Sequence, residues 1–348
     1  MLRGAGDDLI HPPRGARRRP LCAWDIPDDL SKPGFLAIAQ RGIGDALTLL
    51  PSLRALRAAR ADVRIELVAP GLLALAENVR DTATIVDDRP LAGLDDDERA
   101  RWLRTRNFAW VWNTEGEQGP WHGAIQAAAN PRWISTATQK HWRGRNVLRV
   151  RFAQLARLCP EVRTPGPVGL ALTPAQETAS RAFASSLSGA PTLVAIQPGA
   201  GDPNRVWPAD KFRALARALA QNPRITVLVF LGDSDTPFNA PGYLPGQANL
   251  RSVREPLESA VSKLAACALF VGNDSGFYHL AFGLGLPVVG IYRSARSARM
   301  WGYRSPRARA VCPPGLVPPP FRRHWDRWVS VERVLRAARK VMPSLRTM

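Results

Sequence analysis

GFLAIAQRGIGDALTLLPSLRALR, residues 34–57, decides the fold class: an apolar strand runs into a glycine turn, and a helical pattern follows with Leu49, Leu53 and Leu56 on one face. Strand-like and helix-like stretches then alternate through RIELVAP, a helix at 72–79, TATIVDD, a charged helix at 95–104 and FAWVWNT. That alternation predicts an α/β domain with a doubly wound parallel sheet. Pro51 falls inside the first helical pattern and predicts a kink or a fresh start there. A helix at 147–158 leads into CPEVRTPGPVGLALTPAQE (159–177), whose proline and glycine density marks an interdomain linker. At TLVAIQPG (192–199) the pattern restarts as a second α/β domain.

The expected organisation is a flexible extension over 1–33, domains at 34–165 and 166–320, and a tail at 321–348. In that tail VERVLRAARKVM forms a basic amphipathic helix expected to pack back on the first domain. At 348 residues and 45% hydrophobic, the chain can bury two cores. No apolar run approaches the roughly 18 to 20 residues of a membrane span, and MLRGAGDDLIHPPRGARRRP lacks a signal-peptide core, so a soluble, cytoplasmic protein is expected. Cys22, Cys159, Cys267 and Cys312 form no CxxC pair, which indicates neither a zinc site nor a disulfide framework. The net charge of +19 is carried almost wholly by arginine and favours anionic partners such as acidic lipid headgroups or phosphorylated glycans. Nucleic acid is not expected, because the arginines are spread along the chain and no RNP, zinc-finger or helix-turn-helix pattern occurs.

Three loops carry the chemistry. In RGIGDA (41–46) the dinucleotide pattern G-x-G-x-x-G is broken: Asp45 stands where phosphate would sit, and the third glycine is missing. Like charges at 4 Å would repel by on the order of 4 kcal/mol at an effective dielectric near 20. Asp45 is therefore either a helix cap or a carboxylate held ready to take a proton. QPGAGDPNRVWPADKF (197–212) offers Gly199 and Arg205, a guanidinium suited to a diphosphate. FVGNDSGFYHLAFGLGLP (270–287) ends a strand and opens a helix with Ser275, Gly276 and His279 in its first turn, where free amides and the helix dipole favour an anion. Asp274 then holds the loop or binds a ribose hydroxyl.

WVWNTEGEQGPWHG (110–123) and PRWISTATQKHWRGRNVLRVRF (131–152) mix tryptophan with basic residues. They nominate Arg132, His141, Arg143 and Arg145, together with Gly44 of the first loop, as acceptor contacts for an anionic glycan; a solvated basic surface explains the four side chains equally well. No D-x-D metal motif lies in a suitable loop, since DSD (233–235) reads as a solvated turn.

In these elements the chain resembles glycosyltransferase family 9, the ADP-heptose:lipopolysaccharide heptosyltransferases and their relatives. The resemblance rests on RGIGDALTLLPSLRALR (41–57), PGAGDPNRVWPADKF (198–212), LGDSD (231–235), PLESAVSKLAACALFVGND (256–274) and VGNDSGFYHLAFGLGLPVVGIY (271–292), in family order over about 34–295. It implies a GT-B fold, two Rossmann-like domains facing across a cleft. It further implies an inverting transfer of a sugar, heptose above all, from a nucleotide-sugar donor to a glycan or glycolipid acceptor. On this pattern Asp45 is the general base, and the donor lies against Gly199, Asp274, Ser275, Gly276 and His279, with Arg205 in place of the family's common lysine. Cationic side chains replace a metal and no cofactor is expected. An enzyme of this kind works in the cytoplasm or at the inner face of the bacterial inner membrane, touching anionic lipid peripherally. Two other readings stay open at this point: another GT-B enzyme such as an epimerase, or a non-catalytic basic protein binding nucleic acid or anionic membrane.

Overall fold

Strand β1 (Gly34–Ile38) lies at the centre of a five-stranded sheet with β2 (Arg64–Val68), β3 (Thr84–Val86), β4 (Phe108–Asn113) and β5 (Trp133–Ser135), all parallel in the order β3-β2-β1-β4-β5. Its helices are α1 (Ile43–Leu47), α2 (Leu50–Ala59), α3 (Asp96–Thr105), α4 (His122–Ala128) and α5 (Val147–Leu158). The computed structural model describes residues 31–346 except 40–41, 131, 137–143, 188, 190, 233–234, 236–237, 239–242, 245 and 316–318. Residues 1–30 of the expected extension thus lie outside the described residues.

Local sequence sets these elements. Pro51 splits the first helical pattern: α1 ends at Leu47, and α2 restarts with Pro51 in its first turn, where no intrahelical N–H is needed. Pro70 and a non-helical Leu75 turn the expected helix at 72–79 into a kinked 3-10 segment, Pro70–Val79. A capping box between Asp95 and Glu98 starts α3.

The second sheet comprises β6 (Thr192–Gln197), β7 (Ile225–Phe230), β8 (Leu250–Val253), β9 (Leu269–Asn273), β10 (Val288–Ile291) and β11 (Ala308–Val311), all parallel in the order β11-β10-β9-β6-β7-β8. Helices α6 (Pro174–Ser185), α7 (Ala209–Ala220), α8 (Leu257–Ala265), α9 (Gly276–Gly283), α10 (Ala295–Trp301) and α11 (Val331–Val341) complete the chain. Helices on both faces explain why ITVLVF is apolar at every position but Thr226 and buried throughout.

Each sheet reverses its winding once, between β1 and β4 in the first and between β6 and β9 in the second. Crevices open at such switch points beyond the strands' carboxyl ends. The segments there are those that follow β1, β4, β6 and β9, which carry Asp45, Glu115, Arg205 and Asp274 respectively.

One hydrophobic core joins the domains, with Leu53 and Leu72 of the first beside Leu264 and Leu280 of the second. Separate cores line the outer faces, around Trp102 and Trp121 in one domain and Trp207 and Val334 in the other. Helix α11 belongs to that last core: Val334, Ala337, Ala338 and Val341 pack towards β10, β11 and α7. It covers the second sheet rather than the first domain, because the segment before it is already anchored there by buried Trp325 and by the Trp207 Nε1 bond to the Val329 carbonyl at 3.0 Å. Among the described residues no helix is long and apolar enough to cross a membrane.

Candidate active site

Helices α1 and α9, one from each domain, meet at their glycines. A Cβ on Gly44 would stand 2.7 Å from His279 Cδ2, and one on Gly276 would stand 3.0 Å from Ile43 Cβ. Gly44, expected as an acceptor contact, makes room for the His279 ring.

Asp45 occupies the first turn of α1, while Gly42 takes the cap position, so the capping role is not its own. Arg151 of α5 fixes it: Nη2 donates to Asp45 Oδ1 at 3.0 Å, and Nη1 donates to the Asp45 carbonyl and to Thr48 Oγ1. The guanidinium is 1% exposed, whereas the Asp45 side chain is 31% exposed. The second carboxylate oxygen of Asp45 has no hydrogen-bond partner among the described residues. Burial lowers the Arg151 pKa, opposed chiefly by the Asp45 charge. Glu115, on the neighbouring loop, is buried.

Sequence reasoning missed Arg151. Its signal was present, for Arg151 and Gln154 fall on the same helical face as the buried Val147, Val150 and Leu155.

In the second domain Ser275 caps α9 by position, but its hydroxyl donates to Gln197 Oε1 at 2.9 Å and leaves the first-turn amides without a side-chain cap. Arg205, 38% exposed, reaches the Asp274 carbonyl (3.4 Å), Asp274 Oδ2 (3.9 Å) and Asp202 Oδ2 (3.5 Å). Asp274 is buried and accepts from Ser297 Oγ at 3.1 Å; burial pushes its carboxyl up to about 6, with Arg205 pulling the other way. Asn273 ties the two loops together, its Nδ2 donating to the Pro198 carbonyl at 2.5 Å and its Oδ1 accepting from the Trp207 amide at 3.0 Å. Gly199 passes directly over the Asp235 carboxyl, where a Cβ would fall 1.9 Å from Oδ1. Asp235 is consequently buried and accepts from the Gly232 amide at 2.8 Å, so it does not stand in the solvated turn expected for DSD.

The structure places the other expected residues as follows. His279 is 3% exposed, hydrogen-bonded through Nδ1 to the Tyr303 hydroxyl at 2.9 Å and ringed by Tyr278, Trp301 and Tyr303. Burial, reinforced by Arg151 and Arg205, holds its imidazole down at about 3, so the ring is neutral rather than a cation for phosphate. Gly44 packs on that ring, as described above. Arg132 precedes β5 at the amino-terminal edge of a parallel sheet, stacked 5.7 Å over the Trp110 ring, on the edge opposite to Asp45. Arg145 is exposed beside Asn146, whose Nδ2 crosses to the Gly302 carbonyl of the second domain at 2.9 Å. His141 and Arg143 lie outside the described residues. No group of three His, Cys, Asp or Glu that could hold a metal occurs among the described residues.

A family model for glycosyltransferase family 9 (heptosyltransferase) matches residues 134–314. Among solved structures, the family 9 glycosyl transferase from Veillonella parvula DSM 2008 aligns with a TM-score of 0.73 at 18% identity, covering 90% of this chain and 98% of that one. E. coli ADP-heptose LPS heptosyltransferase II aligns at 0.67 and 18% identity, over 89% and 99%. E. coli heptosyltransferase WaaC, solved with ADP-2-deoxy-2-fluoro heptose, aligns at 0.57 and 15% identity, over 87% and 98%. No curated protein sequence matches. At these identities the likeness speaks for the fold, which is GT-B.

Proposed function

The chain belongs to glycosyltransferase family 9 and is a glycosyltransferase, and from that premise we propose that it moves heptose from ADP-heptose to a hydroxyl of a lipopolysaccharide-core glycan with inversion. The observation that supports this reading is the meeting of α1, which carries the partly exposed Asp45, with α9, whose first-turn amides have no side-chain cap and whose preceding loop carries Asp274, reached by Arg205. In this reading residues 34–165 hold the acceptor and 166–320 the donor.

The acceptor oxygen attacks the anomeric carbon and forms the new C–O bond. Its proton passes to Asp45. The bond from the anomeric carbon to the phosphate oxygen breaks, and its electron pair leaves with the nucleoside diphosphate. Arg151 fixes one carboxylate oxygen of Asp45 and leaves the other to face the acceptor hydroxyl. Arg205 and the amides of α9 take up the developing charge without a metal ion. The neutral His279 acts beneath them as packing and hydrogen-bond support.

A net charge of +19 suits an anionic acceptor, and in this reading the enzyme works at the inner face of the inner membrane. Thermal unfolding with ADP-, GDP-, dTDP- and UDP-sugars tests the donor: the right one at about 100 times its Kd adds about 2.7 kcal/mol. Equal shifts with all four, or none, would refute ADP-heptose as donor. Turnover is expected to survive EDTA.

A further inference from the structure

RSARSAR (293–299), which follows β10, carries a cation with no part in the reading above. Strands β10, β9 and β6 are neighbours in that order, so their carboxyl-terminal loops lie side by side: Arg293 after β10, Asp274 and α9 after β9, Asp202 and Arg205 after β6. The two arginines thus flank the start of α9. Both reach the same atom, Asp202 Oδ2, with Arg205 Nε at 3.5 Å and Arg293 Nη1 at 3.9 Å, and both charges act on the buried Asp274.

These are long contacts of exposed groups, Arg205 at 38% and Arg293 at 49%, and pairs of that kind add little to stability. The base of Arg293 is nevertheless held firmly. Ser294 caps α10, accepting from the Ser297 amide at 3.1 Å, and the Ser297 hydroxyl donates to Asp274 Oδ2, which ties the β10 loop to the start of α9. A firmly based, loosely paired guanidinium is arranged for a ligand.

We propose that Arg293 is a second donor-site cation, so that Arg205 and Arg293 grip the diphosphate of the nucleotide from the two sides of α9. This rests on the donor site proposed above. A nucleoside diphosphate leaves with one more negative charge than it carries as the sugar ester, and one guanidinium with a helix end offsets only part of it. Asp202 holds the pair of arginines together in the absence of an anion, and the diphosphate takes over both.

Calorimetric titration of the full-length protein with ADP and with adenosine tests this. R293A and R205A should each weaken ADP about tenfold or more, through loss of a charged hydrogen bond, and leave adenosine within twofold. R293K should fall between R293A and wild type. If R205A loses ADP affinity while R293A stays within twofold of wild type, the proposal is overturned and the donor reading stands. If R293A weakens ADP and adenosine alike, Arg293 supports the loop and not the diphosphate, which also overturns it. If wild type binds ADP no more tightly than adenosine, the donor reading fails and the proposal with it.

Discussion

Asp45 is held by a guanidinium that water does not reach, and this arrangement separates its charge from its shape. Asp45→Asn keeps an amide oxygen that can still accept from Arg151 Nη2, so fold and ADP affinity should survive while proton removal is lost. Turnover should fall by roughly 10² to 10⁴, about 2.7 to 5.5 kcal/mol of barrier. A folded, ADP-binding variant that turns over within a few-fold of wild type would move the base elsewhere, with Glu115 the first alternative. His279 gives a prediction of different sign. Its folded pKa, about 3, lies below the ordinary 6.5, so the stability it contributes is present above pH 6.5 and is lost as pH falls towards 3. Between pH 6.5 and 4.5 that loss amounts to about 2 kcal/mol, because at pH 6.5 the unfolded ring is already half protonated. Asp274, raised by burial to about 6, acts the opposite way, gaining stability on acidification. Comparing urea unfolding of wild type and His279→Gln at both pH values isolates the histidine: the variant's stability should depend less on pH by about that amount. Parallel pH profiles would show that the wild-type ring is not held neutral.

At the scale of elements, the contact between α1 and α9 depends on an absent side chain. Gly44→Ala puts a methyl group 2.7 Å from a His279 ring that Tyr303 and Trp301 keep from moving, so the helices must part. Overpacking of this kind costs about 1 to 3 kcal/mol. Turnover should fall as well, because Asp45 moves away from the donor side. Gly42→Ala is the control: its Cβ would meet nothing within 4 Å, and a φ of 168° is extended backbone open to any residue. If both variants unfold at the same denaturant concentration, the contact is not kept in solution. The inner strands, with β3, and the loops that follow them were legible in the sequence, because a parallel sheet covered on both faces needs continuous apolar strands and puts its crevice at their carboxyl ends. The edge strands β5, β8 and β11 are short and partly exposed and were not read. What was not legible depends on tertiary direction. Amphipathicity shows that α11 covers something, but not which sheet. Composition grouped Arg132 with the acceptor residues, although its place before β5 puts it on the far edge. Gly44 looked like part of a ligand turn because the ring it accommodates lies 235 residues further along the chain.

For the whole molecule, the question is whether the two domains behave as one. Domains joined by a modest polar interface are expected to move independently. Here the central core is shared by both domains, and the linker is bonded to each of them. Gly166 donates to the Pro51 carbonyl at 2.8 Å, and Arg54 Nη1 donates to the carbonyls of Pro167 and Gly169 at 3.0 and 2.7 Å. Asn78 Nδ2 donates to the Ala171 carbonyl at 2.7 Å, while Leu170 donates to the Gly283 carbonyl of α9 at 2.8 Å. Unfolding either domain alone would expose Leu53 and Leu72, or Leu264 and Leu280, to water and leave these linker groups without partners. Each fully buried side chain of this size is worth about 1.5 to 3 kcal/mol, so the half-unfolded state is penalised by several of them at once. The protein should therefore unfold in a single transition, with calorimetric and van't Hoff enthalpies that agree and with coincident tryptophan fluorescence and far-ultraviolet circular dichroism curves. If ADP binds in the second domain as proposed, it should then shift the first domain's unfolding by the same amount as that domain's own. Two separate transitions, with only one of them moved by ADP, would mean that the shared core does not couple the domains and that α1 meets α9 only transiently.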